Sequence, residues 1–258
     1  MKYLWAEWDR LKSHALSKSE KLILLDFDGT LVPIADSPEA VRLSKKTREI
    51  LKALSRRPDY HLIVISGRPL KELYSHIRLR NVLYGGNHGL EIQGNGFYLS
   101  PKAKKARELR TFIKFLAQKL KMAFNCYPGV IVEDKNFTLS LHFRKLAKGQ
   151  TLIFNQLVRF YQKKYKHYPL VWVTGKKVWE IYPSAYWGKG DMVLNLLKMF
   201  PKALPIAIGD DKSDDSMFMA LKGRGLTIHV GRRPRSSRAD YYLESPYDVA
   251  VFLQKLCP

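Results

Sequence analysis

The stretch LLDFDGTLVP, residues 24–33, carries two aspartates at the end of an apolar run and then turns through a glycine and a proline. Because side chains alternate along a strand, Asp26 and Asp28 are expected on one side at its carboxyl end, where open α/β sheets bind ligands. One carboxylate there can form an aspartyl-phosphate, and the other can protonate a leaving oxygen and then activate water. Asp26 suits the first role and Asp28 the second; a calcium-type acidic loop or a turn with a capping aspartate is the alternative.

Apolar runs alternate with helical patterns on both sides of this stretch. Strand, helix and strand joined by short connections indicate an α/β fold, with a parallel sheet covered on both faces. Strands are predicted at residues 21–26, 60–65, 82–84, 205–208 and 226–229, and helices at 1–18, at 44–55 and from residues 69, 189 and 213.

The middle of the chain has a different pattern, in which a helix is twice followed by a hairpin. The first repeat is predicted as a helix over 102–122 with strands at 130–133 and 138–143, and the second as a helix over 150–165 with strands at 170–173 and 178–182. We therefore predict a core domain formed by residues 1–100 and 185–258, and an inserted domain at 101–184.

A second acidic group lies in IGDDKSDDSMF, residues 208–218, again directly after an apolar run. Its clustered carboxylates repel one another, and a hard divalent cation relieves that repulsion; magnesium is typically held by one or two carboxylates, waters and substrate phosphate. Asp210 and Asp211 end the strand and are the stronger metal candidates. For Asp214 and Asp215 a helix start is an equally good explanation, since aspartate is favourable at a helix N-terminus.

Two further residues complete a candidate phosphate site. Ser66 ends the second predicted strand and can donate a hydrogen bond to a phosphoryl oxygen, and Lys189 begins a helix and can neutralise charge in a transition state. Each signal is weak alone, because Ser-Gly turns are common and a lone lysine is usually solvated. Their order and spacing with the two acidic groups strengthen the interpretation.

Taken in order, four short segments resemble the sequence motifs of the haloacid dehalogenase (HAD) superfamily. These are Asp26-Phe27-Asp28-Gly29-Thr30, Ser66-Gly67-Arg68, Lys189 and Gly209-Asp210-Asp211. The inserted pair of helix-hairpin units is similar to the α/β cap found after the third core strand in one branch of that superfamily. The resemblance implies a HAD-like, Rossmann-type parallel-sheet core with an inserted α/β cap domain that sets substrate specificity.

Within that branch the sequence resembles the trehalose-6-phosphate phosphatase family from Leu22 to Leu256. The local matches are GNHGLE at 86–91, VEDKNFTLSLHFR at 132–144, GKKVWEIYP at 175–183 and GDDKSDDSMF at 209–218. The resemblance implies a Mg²⁺-dependent phosphomonoester hydrolase that converts trehalose 6-phosphate to trehalose and phosphate.

The resemblance also implies a role for each matching residue. Asp26 would be the nucleophile, Asp28 the acid/base, and Ser66 and Lys189 the phosphate binders. Asp26, Asp28 through its carbonyl, and Asp210 would bind magnesium. We add Asp211, which the residue pattern itself suggests, as a further metal candidate.

On the predicted cap, the resemblance implies that Glu133, Lys135 and Glu180 hold sugar hydroxyls. Their carboxylates and ammonium group offer the directional acceptors and donors that a disaccharide needs, although cross-strand ion pairs on a solvent face explain them equally well. His88 and Arg68 are further candidates for ligand contact. A buried structural histidine and an arginine paired with a carboxylate are the respective alternatives.

The chain departs from the family pattern in two places. Tyr182 stands where the family usually has an arginine before a proline, and the family's acidic run DEDMF appears as DSMF at 215–218. The first change lies near the sugar-contacting residues, so it bears on substrate identity and not on phosphate cleavage. A phosphatase for sucrose phosphate, mannosylglycerate phosphate or a hexose phosphate is therefore an alternative, as is a sugar-phosphate-binding regulator without hydrolytic activity.

The net charge of +22 fits two kinds of partner. It indicates either attraction to nucleic acid or a field that draws an anionic substrate. Since the sequence contains no zinc finger, RNA-binding aromatic signature or arginine-rich tail, we expect a sugar phosphate and not a dedicated nucleic-acid partner. The family resemblance makes a trehalose-6-phosphate synthase a candidate protein partner.

Composition and cysteine usage favour a cytoplasmic protein without membrane association. Hydrophobic residues make up 46% of the chain and charged residues 26%, which is the balance of an ordinary globular protein. No run has the length of a transmembrane helix, and the first residues lack the apolar core of a secretory signal. Cys126 and Cys257 are far apart and match neither a disulfide framework nor a metal site.

Overall fold

The computed structural model describes residues 1–16, 20–35, 40–94, 103–175, 177–184, 188–231 and 237–257. The chain forms two compact units. The core unit consists of Met1–Leu99 and Trp187–Pro258, and the second unit of Ser100–Tyr186.

The strands follow one another along the chain as β1 (Lys2–Tyr3), β2 (Lys21–Leu25), β3 (Tyr60–Ile65), β4 (Leu83–Gly86), β5 (Glu91–Gln93), β6 (Ile131–Asp134), β7 (Leu139–His142), β8 (Leu170–Gly175), β9 (Val178–Pro183), β10 (Leu204–Gly209), β11 (Leu226–Val230) and β12 (Tyr241–Leu243). The helices are α1 (Trp8–Arg10), α2 (Lys45–Ser55), α3 (Leu70–Ile77), α4 (Ala103–Ala123), α5 (Thr151–Lys164), α6 (Lys189–Met199), α7 (Asp215–Ala220) and α8 (Pro246–Leu256).

The described residues of the core unit contain an eight-stranded sheet in the order β1-β12-β11-β10-β2-β3-β4-β5. Neighbouring strands are parallel, except that β5 runs antiparallel to β4. Strands β2, β10 and β11 are buried along their whole length, as expected for parallel strands covered on both faces. The parallel-sheet core confirms the predicted α/β fold class.

The two faces of strand β2 show how helices cover the sheet. Leu22 and Leu24 pack in a cluster with apolar residues of α6 and α7. Ile23 and Leu25 pack in a second cluster with residues of α2, α3 and α8. Because alternate side chains point to opposite faces, one short apolar run joins both halves of the core and fixes the position of residue 26 that follows it.

The predicted helix over residues 1–18 is wrong at its start. Residues Lys2–Tyr3 form β1, which pairs with β12 in parallel, and short helical turns follow from Leu4 to Ala15. Leu4 and Leu11 are buried in the core as the apolar periodicity requires. Pairing with an edge strand therefore overrides the local helical pattern in the first residues, and residues 17–18 of the prediction lie outside the described part of the chain.

The second unit contains an antiparallel sheet in the order β6-β7-β9-β8. Helix α4 precedes the β6–β7 hairpin and α5 precedes the β8–β9 hairpin, which confirms the predicted repetition of helix and hairpin. Leu139 and Leu141 of β7 and Trp179 and Ile181 of β9 pack in one cluster with apolar residues of both helices. The alternate residues of these strands therefore lie on the face turned away from the helices.

Helix α4 has 21 residues and thus the length needed to cross a bilayer. Basic residues such as Lys114, Lys119 and Lys121 recur along it. Within the residues that the structure describes, no helix is both long enough and apolar enough to cross a membrane.

Candidate active site

The carboxyl ends of β2 and β10 bring the two acidic groups together. These neighbouring parallel strands pair Leu25 with Ile208, and the backbone N–H of Asp26 donates to the carbonyl of Ile208 at 2.9 Å. Asp26 and Asp210 therefore follow their strands at the same edge of the sheet. With Asp214 they form a group in which one carboxylate oxygen of each residue lies within 4.8 Å of the corresponding oxygens of the other two.

Lys189, the first residue of α6, connects two of these carboxylates. Its Nζ donates to Oδ1 of Asp26 at 2.7 Å and to Oδ1 of Asp214 at 2.6 Å. The lysine is 3% exposed and Asp214 is completely buried. Charged groups that are removed from water in this way need partners, and here the ammonium group supplies one to each carboxylate.

The group carries more negative charge than one lysine can offset. Burial and the charge of Asp214 raise the pKa of Asp26 to about 7, against the opposing effect of Lys189. Burial and the charges of Asp26 and Asp214 raise the pKa of Asp210 to about 9. Burial lowers the pKa of Lys189, but Asp214 and Asp26 outweigh it and raise the pKa above its ordinary value. Closely spaced carboxylate oxygens with surplus negative charge fit a hard divalent cation.

Gly29 allows the two acidic segments to approach each other. Its φ angle is +82°, and a β-carbon at this position would overlap the carboxylate of Asp210. Only glycine combines this backbone conformation with this contact. Next to it, Thr30 Oγ1 is buried and has no hydrogen-bond partner among the described residues, a costly arrangement unless a ligand or water supplies one.

Asp28 lies outside the group of three carboxylates and is held by Arg68. The guanidinium donates from Nε to Oδ2 and from Nη2 to Oδ1 of Asp28, both at 2.8 Å. Its Nη1 donates to Glu72 and lies 3.3 Å from Nε2 of His76. The arrangement is the carboxylate-paired arginine considered as the alternative for Arg68, and it fixes both oxygens of Asp28 in a bidentate pair.

Ser66 and His88 lie together beside this pair. Ser66 is almost fully buried after β3, and its Oγ accepts from the backbone N–H of Arg68 at 3.2 Å. The N–H of His88 donates to the carbonyl of Ser66 at 2.7 Å. A β-carbon on Gly67 would come within 2.7 Å of the His88 ring, so the glycine of this turn is needed for the ring to pack there.

The aspartates of the second acidic segment differ in their exposure to solvent. Asp211 is exposed, and its backbone N–H donates to Oδ2 of Asp214 at 3.0 Å. Asp214 is the residue turned into the site, by the short helical turn Lys212–Asp214. Asp215 instead accepts from the backbone N–H of Arg238 at 2.9 Å. The residue pattern gave Asp214 no preference over Asp215, because only the fold determines which carboxylate faces Lys189.

The three predicted sugar-binding residues form one cluster on the second unit. Ser140 of β7 lies directly between Glu133 of β6 and Glu180 of β9 in the sheet register. Lys135 is mostly buried, with Nζ 3.8 Å from Oε2 of Glu133 and 3.7 Å from Oε1 of Glu180. These polar groups lie on the sheet face away from α4 and α5. The structure thus brings all three together. Their contacts are ion pairs of the kind that the sequence analysis named as the alternative to sugar binding.

The fold and the core site together define a HAD-like α/β protein. A sequence model of the family described as trehalose-phosphatase matches residues 24–247. This chain belongs to the trehalose-phosphatase family.

Named relatives agree with this membership. Probable trehalose-phosphate phosphatase H of Arabidopsis thaliana is 32% identical over 260 residues, which cover 93% of this chain and 73% of that protein. Trehalose 6-phosphate phosphatase RA3 of Zea mays is 31% identical over 94% of this chain and 71% of its own length. The C-terminal domain of C. albicans trehalose-6-phosphate phosphatase has a similar fold, with a TM-score of 0.79, 24% identity and 93% of each chain covered.

Proposed function

We propose that this protein hydrolyses trehalose 6-phosphate to trehalose and phosphate through an aspartyl-phosphate intermediate. Family membership supports the conversion of trehalose 6-phosphate to trehalose. The observation that carries the proposed mechanism is the buried lysine between Asp26 and Asp214, with Asp210 beside them. Such a site pairs a carboxylate nucleophile with fixed positive charge where phosphate charge must be held.

In the proposed reaction, a carboxylate oxygen of Asp26 attacks phosphorus and the bond from phosphorus to the sugar oxygen breaks. Asp28 gives that oxygen a proton, and trehalose leaves. Asp28 then takes a proton from water, the water oxygen attacks phosphorus, and phosphate leaves with Asp26 restored. Lys189 orients Asp26 and, with Ser66, binds the phosphoryl oxygens.

We further propose that Mg²⁺ binds at this site. Asp26, Asp210 and the carbonyl of Asp28 would hold it, and Asp211 stays a predicted additional ligand although its side chain is exposed. When bound, the ion offsets negative charge on the phosphoryl oxygens. The site suits a divalent cation because three carboxylates cluster there, and the single ammonium group of Lys189 cannot neutralise all of their negative charge.

The second unit is proposed to act as a cap that recognises the sugar. Glu133, Lys135 and Glu180 would bind hydroxyl groups, as carboxylates and ammonium groups do in polar sites. Arg68 and His88 are proposed to contact the ligand from the core. Tyr182 also lies on the polar face of the cap sheet, two residues after Glu180 on β9, so the departure from the family pattern falls beside the proposed sugar site.

A substrate panel tests this assignment. We expect kcat/KM for trehalose 6-phosphate to exceed that for glucose 6-phosphate, sucrose phosphate and mannosylglycerate phosphate by at least about tenfold. A substrate that lacks a hydroxyl group at the matching position leaves buried polar groups of the protein unpaired, which costs binding energy. Phosphate release is measured for all four under identical conditions. Glucose 6-phosphate is the matched control, since it keeps the phosphate and one ring. Preference for another compound of the panel would overturn the substrate assignment.

A regulator without hydrolytic activity is the alternative of a different class. The C-terminal domain of Candida albicans trehalose synthase regulatory protein shares the fold, with a TM-score of 0.70 and 11% identity. The assembled group of Asp26, Asp210, Asp214 and Lys189 argues for catalysis here, because binding alone does not require a nucleophile fixed by a buried lysine. Absence of phosphate release from every compound in the panel would favour the regulator.

We extend the proposal to the protein's setting. A cytoplasmic location agrees with the two free cysteines, Cys126 and Cys257. A trehalose-6-phosphate synthase that supplies the substrate is the proposed partner.

A further inference from the structure

His142 lies on the polar face of the second unit's sheet. Leu139 and Leu141 of the same strand are fully buried against the helices, so the alternate residues Ser140 and His142 face the other way. In the register, His142 lies opposite Ile131 of β6 and Val178 of β9. The histidine is therefore two residues along β7 from Ser140, which lies between the proposed sugar-binding carboxylates Glu133 and Glu180.

His142 holds one of those carboxylates directly. Its Nε2 lies 2.8 Å from Oε2 of Glu133, the oxygen that also lies 3.8 Å from Nζ of Lys135. Within the described part of the chain, Oε1 of Glu133 makes no hydrogen bond. One oxygen is thus fixed by protein contacts and the other is left to accept from a ligand.

The charges around Glu133 keep it ionised. Burial raises the pKa of Glu133 and so does nearby Glu180, but the hydrogen bond from His142 and the charges of Lys135 and His142 outweigh them and lower the pKa below its ordinary value. An ionised carboxylate is an acceptor at both oxygens. Its free oxygen therefore suits a sugar hydroxyl, which acts as a donor.

The neighbouring carboxylate has an equivalent arrangement. Ser140 Oγ donates to Oε1 of Glu180 at 2.9 Å, and Nζ of Lys135 lies 3.7 Å from the same oxygen. Strand β7 thus provides one hydrogen-bond partner for each carboxylate, and Lys135 lies between the two. Side chains that orient binding groups in this way determine how accurately a site fits its ligand.

We propose that His142 is a positioning residue that orients Glu133 toward a hydroxyl group of the sugar and so sets the affinity for the disaccharide phosphate. The inference rests on the proposed function of the cap residues. It assigns His142 no contact with the phosphoryl group and no role in bond breaking.

The test compares His142→Ala, His142→Gln and the control Ile131→Ala. Gln is chosen because its amide nitrogen can occupy the place of Nε2 and donate to Glu133. Ile131 is the half-exposed cross-strand neighbour of His142, so its truncation removes packing at the same place without removing a hydrogen bond. Initial rates are measured with trehalose 6-phosphate and with p-nitrophenyl phosphate, which has no sugar, and thermal unfolding verifies that each variant is folded.

For trehalose 6-phosphate, we expect His142→Ala to raise KM by about tenfold, the effect of losing a hydrogen bond to a charged group, with kcat changed much less. His142→Gln should recover most of the loss, and Ile131→Ala should change KM by less than about twofold. The ratio of kcat/KM for trehalose 6-phosphate to that for p-nitrophenyl phosphate should therefore fall only in His142→Ala.

Equal KM in His142→Ala and the unaltered protein would overturn the inference, and so would equal increases in His142→Ala and Ile131→Ala. A parallel loss with p-nitrophenyl phosphate would also overturn it, because the sugar would then play no part. Failure of the proposed function has a different signature, since the unaltered protein would itself fail to hydrolyse trehalose 6-phosphate.

Discussion

The variant Asp26→Asn is expected to lose phosphate release from trehalose 6-phosphate by at least about 10⁴-fold in kcat, the size of effect seen when a catalytic nucleophile is removed. An amide oxygen cannot replace the carboxylate in forming the phosphoryl intermediate. The fold should persist, because the substituted amide is neutral and removes repulsion from Asp210 and Asp214, while Lys189 keeps its bond to Asp214. Phosphate release and thermal unfolding of the metal-free variant measure the two expectations.

Asp59→Asn is the matched control for this change. Asp59 pairs with Arg57 at 2.7 Å. It lies at the start of β3, whereas Ser66 and the proposed active site lie at the other end of that strand. We expect the control to retain activity and to lose at most about 1 kcal/mol of stability, as is usual for ion pairs at the surface. Full activity in Asp26→Asn would exclude Asp26 as the nucleophile.

The variant Lys189→Met is expected to lose both activity and stability. The substitution leaves Asp26 and Asp214 buried without the ammonium group that both now contact, and breaking a buried ion pair on one side typically costs about 3–5 kcal/mol. Loss of fixed positive charge near the phosphoryl group should lower kcat by about 10²–10³-fold. Urea unfolding and phosphate release measure these losses.

The stability loss should depend on pH in a defined direction. Lys189 lowers the pKa of Asp26, which burial nevertheless raises to about 7, so removal of the lysine should raise that pKa further. Both folded proteins keep the Asp26 proton well below pH 7, and the stability difference that this carboxyl contributes between them therefore grows as the pH rises through about 7. Lys198→Met is the control, because Lys198 is exposed on the same helix. A loss that was independent of pH, or equal in both variants, would contradict the role given to the buried pair.

Much of the core could be predicted from local sequence. Strands β2, β3, β10 and β11 are fully or almost fully buried, so each appears as a short apolar run. Parallel strands that end at the same edge then bring Asp26 and Asp210 together without further information. The hairpins of the second unit were also predictable, because their strands alternate between residues that face the helices and residues that do not.

Other features depend on contacts that sequence patterns do not contain. Strand β1 has two residues and forms by pairing with β12. The helical periodicity of the sequence describes the turns that follow it and does not reveal this pairing. Asp214 is buried because a short turn directs it at Lys189, although the same spacing would allow Asp215. Arg68 pairs with Asp28 across 40 positions of the chain, so the local sequence around either residue could not reveal this pairing.

The dependence of phosphate release on Mg²⁺ tests most directly the claim that Asp26 and the distant acidic segment act around one metal ion. Protein treated with a chelator is assayed with trehalose 6-phosphate while Mg²⁺ is added back, beside Asp210→Asn. We predict no turnover after chelation and full recovery when Mg²⁺ is added back. The variant should require at least about tenfold more Mg²⁺, because losing a metal ligand, or a group that supports one, weakens metal binding by at least that factor. Undiminished turnover by the chelated protein, or an identical Mg²⁺ requirement in Asp210→Asn, would contradict the account.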